Sequence, residues 1–152
     1  MKGGKEIKIK LLQVREATGG QASSPRQVAD LMREEAQADR EAFWVLHLNT
    51  QNAIIEKELV SLGTLDASYV HPREVFKKAI ILSAKAIITA HNHPSGNPLP
   101  SNNDQQVWDK LKASGDLLDI PVLDNLIITP TGAYYSDKER NVVNLKGGKE
   151  NG

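Results

Sequence analysis

His91, His93, Ser101 and Asp104 lie in one short stretch of the chain, and their residue types and spacing suit metal chemistry. On an extended backbone the two histidines point to the same side, because side-chain direction repeats every two residues. Two neutral imidazoles and a carboxylate form a three-ligand set that leaves a fourth zinc position open for water, as hydrolytic sites do. The pattern therefore predicts a zinc site held by His91, His93 and Asp104.

The same residues also have a purely structural interpretation. An H-x-H pair can arise by chance at a strand end, and Asp104 can serve only to cap a helix, since S-x-x-D is a helix-opening pattern. The intervening loop favours the metal interpretation. Its prolines at 94, 98 and 100 stiffen the chain and keep the carboxylate at a fixed distance behind the imidazoles.

The neighbouring elements follow from local patterns. Residues 86–90 are apolar and β-branched, which predicts a buried strand that ends at the histidines. Residues 102–113 predict a helix, with core packing for Trp108 and a C-terminal stop at Gly115. A helix from Ser24 to about residue 38 and another from Pro72 have capping or proline signals. Strands are predicted at four other places: 7–14, a hairpin of 42–48 with 53–61, 121–129 and 133–135.

This order of elements predicts an α/β sandwich, in which a mixed, curved sheet is flanked by helices. Residues 1–23 are assigned to an N-terminal strand and loop that are partly frayed. Residues 24–140 form the predicted domain, and residues 141–152 form a Gly/Lys-rich tail that is expected to be disordered. His47 is expected to be a partly buried strand histidine without a catalytic role, with a contact to a metal ligand or to the substrate as the alternative. His71 is expected to be a helix-entry residue.

Composition narrows the function classes. The 152 residues include 19 basic and 19 acidic side chains, so a strong non-specific affinity for nucleic acid is not expected. No apolar run is long enough for a membrane span, and no signal-peptide pattern is seen, so we expect a cytoplasmic protein. The chain has no cysteine, which excludes disulfides and means that nitrogen and oxygen atoms must hold any zinc.

H-x-H-P, six further residues and then S-x-x-D is similar to the JAMM signature of the JAB/MPN metalloprotease superfamily. Residues 91–96 more narrowly resemble the RadC family of bacterial JAB-domain proteins, and so do residues 63–66, 71–75 and 122–124. The resemblance covers roughly residues 30–140 and departs from the family at one place. RadC proteins usually have His after the Leu-Asp pair that matches Leu123 and Asp124, whereas this chain has Asn125.

The resemblance implies a JAB/MPN-like fold, also called cytidine deaminase-like, with one zinc ion per chain and hydrolysis of a peptide or isopeptide-like amide bond. Its general base is a glutamate at the start of the strand after the first helix, which Glu41 matches, with Glu58 as the alternative. Ser101 would donate a hydrogen bond to the water or the developing oxyanion. For Glu41 and Ser101 the structural alternatives are a solvated strand-edge residue and a helix N-cap. The resemblance also implies a link to DNA repair.

Other function classes stay open at this point. The main alternative is a non-catalytic, metal-binding interaction module that associates with protein or DNA partners. A two-metal nuclease would need more carboxylates and a positive face, and a zinc deaminase would need the cysteines that this chain lacks. The hydrolase interpretation implies a peptide or protein substrate, and the hairpin edges predict a homodimer. We expect the catalytic-type domain alone, because the residues before the hairpin are too few for the helix-hairpin-helix region that RadC-like proteins often carry.

Overall fold

A computed structural model describes residues 19–144 of the chain. The strand predicted over residues 7–14 and the last residues of the predicted tail lie outside this range. The described helices and strands run in the following order: α1 (Pro25–Leu31), a 3₁₀ turn (Glu35–Gln37), β1 (Ala42–Leu48), β2 (Ile54–Leu62), α2 (Pro72–Ile81), β3 (Ala86–Asn92), α3 (Asn102–Leu118), β4 (Val122–Ile128), β5 (Tyr134–Ser136) and β6 (Asn141–Val143).

The strands form one six-stranded mixed sheet in the order β2-β1-β3-β4-β5-β6. Only β3 and β4 are parallel among these strands, and α3 makes the crossover between them. One apolar cluster lies between the sheet and α1, and a second lies between the opposite face and α2 with α3. This three-layer arrangement confirms the predicted α/β fold class.

Strand β3 is buried along its whole length because helices cover both faces of the sheet at its centre. Ile88 and Ala90 pack in the cluster on the α1 side, whereas Ile87 packs in the cluster on the α2 and α3 side. Since side chains alternate, Thr89 and His91 share the face of Ile87. This alternation points the first histidine of the H-x-H pair toward α3.

The ends of two helices differ from the sequence predictions. Helix α1 ends at Leu31, and a separate 3₁₀ turn follows, although Met32 and Ala36 are still buried. Helix α3 passes Gly115 and ends at Leu118, and its C-cap residue Asp119 adopts the left-handed conformation (φ 64°). A Cβ atom at Gly115 would lie 2.6 Å from the Ile120 carbonyl oxygen, so this glycine permits a close backbone approach and does not stop the helix.

Other local predictions are confirmed. Ser24 caps α1 by accepting a hydrogen bond from the Gln27 amide, and Trp108 is buried and stacks on Tyr135.

The sheet continues past residue 140, where the sequence prediction placed the end of the domain, because β6 pairs with β5. None of the helices in the described part of the chain is long and apolar enough to cross a membrane.

Candidate metal centre

Three predicted ligands converge at the carboxyl end of β3. His91 is the second-to-last residue of β3, and His93 is the first residue after that strand. Asp104 is on the first turn of α3. Each residue offers one ligand atom, and these atoms all lie within 4.8 Å of one another. His91 is 1% exposed and Asp104 is 2% exposed, so the cluster is largely withdrawn from solvent.

The hydrogen bonds of His93 leave one ring nitrogen available. Its Nδ1 lies 2.8 Å from the Asn97 carbonyl oxygen, which can only accept, so Nδ1 carries the hydrogen. Its Nε2 lies 3.2 Å from Asp104 Oδ2. A backbone carbonyl that fixes the far nitrogen is a common way to orient a metal-binding imidazole.

His91 provides the observation that tests whether a metal fits. Its Nε2 lies 3.0 Å from Glu41 Oε1 and its Nδ1 lies 3.2 Å from Asp104 Oδ1. Both nitrogens are buried, yet neither makes a hydrogen bond of acceptable geometry. A buried polar atom without a partner is costly, and a metal ion at the cluster would satisfy one of them. The donor set of two imidazoles and a carboxylate also suits zinc.

Ser101 and Asp104 form a capping box at the start of α3. The Ser101 amide donates to Asp104 Oδ2 (2.8 Å), and the Asp104 amide donates to Ser101 Oγ (3.0 Å). The structural and the metal interpretations of this motif are therefore compatible. The cap fixes the carboxylate in the direction of the two imidazoles.

Protonation of the ligands depends on their mutual contacts. Burial raises the pKa of Asp104, but contacts with His91, His93 and the Ser101 amide outweigh it and hold that pKa well below its usual range. Burial lowers the pKa of His93, but Asp104 and the Asn97 carbonyl outweigh it, so the net shift is upward. A metal at this cluster must therefore compete with a proton on His93.

Glu41 is the residue before β1, and its side chain extends to the cluster. Its carboxylate lies beside His91, and its side chain is 31% exposed, so it borders both the buried ligands and solvent. It lines an open groove of about 460 Å³ together with His93, Ser101 and Asp104. Glu58, the alternative base, instead lies 2.8 Å from Nε2 of His47 through its Oε1.

Asn92 holds the backbone around Glu41, a role that sequence reasoning missed. Its Oδ1 accepts a hydrogen bond from the Ala42 amide (2.7 Å), and its Nδ2 donates to the Arg40 carbonyl oxygen (3.0 Å). The Gly63 amide also donates to the Glu41 carbonyl oxygen (2.8 Å). Alternation sends this middle side chain to the face opposite His91, but its partners follow from the pairing of β1 with β3.

Substituting Asn92→Ala is expected to lower the free energy of unfolding by about 1–3 kcal/mol, because a buried amide and a carbonyl lose their partner. Metal binding at the cluster should stay unchanged, since Asn92 is not one of its three candidate ligands. Urea denaturation and metal analysis of the purified variant measure the two effects, with Asn141→Ala as an exposed control on β6. Loss of zinc with full stability would contradict this role.

Three other residues that the sequence analysis discussed are not among the three clustered ligands. His47 is fully buried, not partly buried as predicted, because β2 covers it with Glu58; burial lowers the pKa of His47 and the Glu58 contact opposes that shift. His71 is the N-cap residue of α2 with extended backbone, as its position before a proline requires. Asn125 is buried and accepts a hydrogen bond from Thr89 Oγ1 (2.6 Å).

Comparison with known proteins gives the family. A family model described as RadC-like JAB domain matches residues 22–142, which is most of the chain. The chain belongs to the RadC-like JAB domain family. The curated relatives of this JAB domain include UPF0758 proteins from several microbes. That of Moorella thermoacetica is 50% identical over 121 residues, covering 79% of this chain and 52% of the relative.

Two more UPF0758 proteins show the same pattern of coverage. The protein of Methanosarcina mazei is 47% identical over 122 residues, covering 80% of this chain and 53% of the relative. The protein of Pelodictyon phaeoclathratiforme is 56% identical over 95 residues, covering 62% and 43%. This JAB domain therefore spans about half the length of the curated relatives it matches.

Proposed function

We propose that this JAB domain is a zinc-dependent hydrolase that cleaves a peptide or isopeptide-like amide bond. The observation that carries the proposal is the convergence of His91, His93 and Asp104 with Glu41, whose carboxylate lies 3.0 Å from the His91 ring. Three protein ligands with a carboxylate beside them are the parts that hydrolytic zinc sites use. The open groove gives a substrate access to them.

Each residue has a distinct part in this proposal. His91, His93 and Asp104 would hold the metal, and zinc, when bound, supplies a Lewis acid that polarises the scissile carbonyl and makes water more acidic. Glu41 accepts the proton of the attacking water and passes it to the leaving amine. Ser101 Oγ accepts a hydrogen bond from the Asp104 amide, so the hydroxyl hydrogen of Ser101 is free to donate to the developing oxyanion.

Zinc binding is the first test. Zinc-loaded and desalted protein should hold about one zinc ion per chain, and His93→Ala or Asp104→Ala should release it, because two protein ligands hold zinc poorly. Mass-spectrometric metal analysis measures the ratio. His71→Ala is the matched control, since His71 lies at the N-terminus of α2 and makes no side-chain capping bond.

Absence of stoichiometric zinc from the loaded wild-type protein would overturn the hydrolase proposal. A non-catalytic interaction module would then account better for the domain. The homodimer, the cytoplasmic location and the link to DNA repair stay predictions from the sequence and from its resemblance.

A further inference from the structure

A second cavity, of about 430 Å³, lies on the other face of the sheet from the metal centre. It is bounded on one side by α1 and the 3₁₀ turn, and on the other by the end of β4 and the turn into β5. Its lining includes Ala29, Ile128 and Ala133 as apolar walls. This position is outside the carboxyl ends of the parallel strands β3 and β4, where ligands often bind in open α/β sheets.

The charged side chains that line this cavity are both arginines, whereas the carboxylates of Asp30, Asp124 and Glu139 act on its Tyr134 from outside the lining. Arg26 and Arg33 line it, and no carboxylate does among the residues that the structure describes. Arg33 is paired with Asp30, which lies outside the lining, at 2.7 Å. Within residues 19–144, Arg26 has no ion-pair or hydrogen-bond partner, and its charge acts on Tyr134.

A buried polar side chain at the cavity also lacks a partner. Tyr134 is 3% exposed and lines the cavity, yet its hydroxyl makes no hydrogen bond to any described residue. Burial raises the pKa of Tyr134, which keeps its hydrogen in place as a donor at neutral pH.

We propose that this cavity binds a small phosphate monoester. Arg26 holds the phosphate, because a guanidinium matches its oxygen geometry and keeps its charge, while Arg33 lies beside it in its pair with Asp30. The Tyr134 hydroxyl donates to one phosphate oxygen. The volume exceeds that of the bare ion, so the ester's organic body packs against Ala29, Ile128 and Ala133.

The cavity is also connected to the metal centre. The His93 amide donates to the Ile128 carbonyl oxygen at 2.9 Å, and Thr129 follows at once in the cavity wall. Thr129 Oγ1 donates to the Ala133 carbonyl oxygen at 2.7 Å, which holds the turn closed. A bound ester therefore contacts the segment that supports one proposed zinc ligand.

Phenyl phosphate and inorganic phosphate are the probes, titrated into the full chain while backbone amide resonances are recorded. Saturable shifts are expected in residues 128–134, with phenyl phosphate binding more tightly than inorganic phosphate. Arg26→Gln should weaken binding about tenfold and Tyr134→Phe severalfold, since bonds to a charged group are lost. Arg73→Gln is the matched control, because Arg73 is an exposed arginine on α2 at the other face.

His93→Ala separates this proposal from the metal proposal. Binding in residues 128–134 should persist in that variant, whereas phosphate held by a metal would be lost. No saturation at about 10 mM phenyl phosphate, equal affinity in Arg26→Gln, or loss of binding in His93→Ala would each overturn the proposal. Benzoate that binds as tightly as phenyl phosphate would overturn the assignment to phosphate in favour of a carboxylate.

Discussion

Replacing Glu41 by glutamine is expected to lower amide hydrolysis by about 10²–10⁴-fold, the usual contribution of general acid–base catalysis. Glutamine keeps the shape of the side chain but removes the basic oxygen, so proton transfer from water to the leaving amine is lost. The carboxylate is well placed for this role, since Glu41 Oε1 lies 3.0 Å from the His91 ring and borders the open groove. Zinc content should barely change, because the proposed metal ligands are His91, His93 and Asp104.

Glu58→Gln is the matched control for this experiment. Glu58 is the other carboxylate considered as base, but its Oε1 is engaged with His47 on the neighbouring strand. Rates of a zinc-loaded protein on a panel of peptide and isopeptide substrates, with metal content measured on the same samples, compare the variants. Full activity of Glu41→Gln with loss in Glu58→Gln would reverse the assignment. Loss of zinc from Glu41→Gln would make Glu41 a metal ligand.

Much of the fold follows from local patterns in the sequence. The hairpin of β1 with β2 and the buried strand β3 have strong β-branched or alternating apolar segments, and each helix start has a cap or a proline. The helix ends are harder to predict. Met32 and Ala36 have the same apolar spacing in a continuous helix as in the helix with a 3₁₀ turn that the structure contains.

The convergence of His91, His93 and Asp104 was predictable because strand alternation and the S-x-x-D cap are local features. Glu41 required the family resemblance, since a glutamate before a strand is common and its neighbour His91 is distant in sequence. Asn92 and the pairing of His47 with Glu58 depend on the register of β1 against its neighbours, which no local pattern contains. The cavity near Tyr134 likewise depends on how α1 packs on the sheet.

Asp124 is a buried carboxylate on β4 that is hydrogen-bonded to β5 and to the turn after that strand. Its Oδ2 accepts a hydrogen bond from Ser136 Oγ (2.7 Å), and its Oδ1 accepts the amides of Asn125 and Lys138 (2.8 Å each). Burial raises the pKa of Asp124, and these three hydrogen bonds oppose that shift without cancelling it. The carboxylate thus joins β4 to β5 and to the turn that leads into β6.

Asp124→Ala should therefore lower the free energy of unfolding by about 3–5 kcal/mol, because three donors, two of them on buried residues, lose their acceptor together. Asp124→Asn should cost only about 1 kcal/mol, since its oxygen still accepts hydrogen bonds from both amides.

The raised pKa of Asp124 also predicts a pH effect. Relative to Asp124→Asn, the wild type should lose stability as pH rises from about 3.9, the unfolded value, through the higher folded value. Urea denaturation of zinc-free protein between pH 4 and 7 measures both effects, with the exposed Asp116→Ala as control. An Asp124→Ala variant as stable as that control would refute this role.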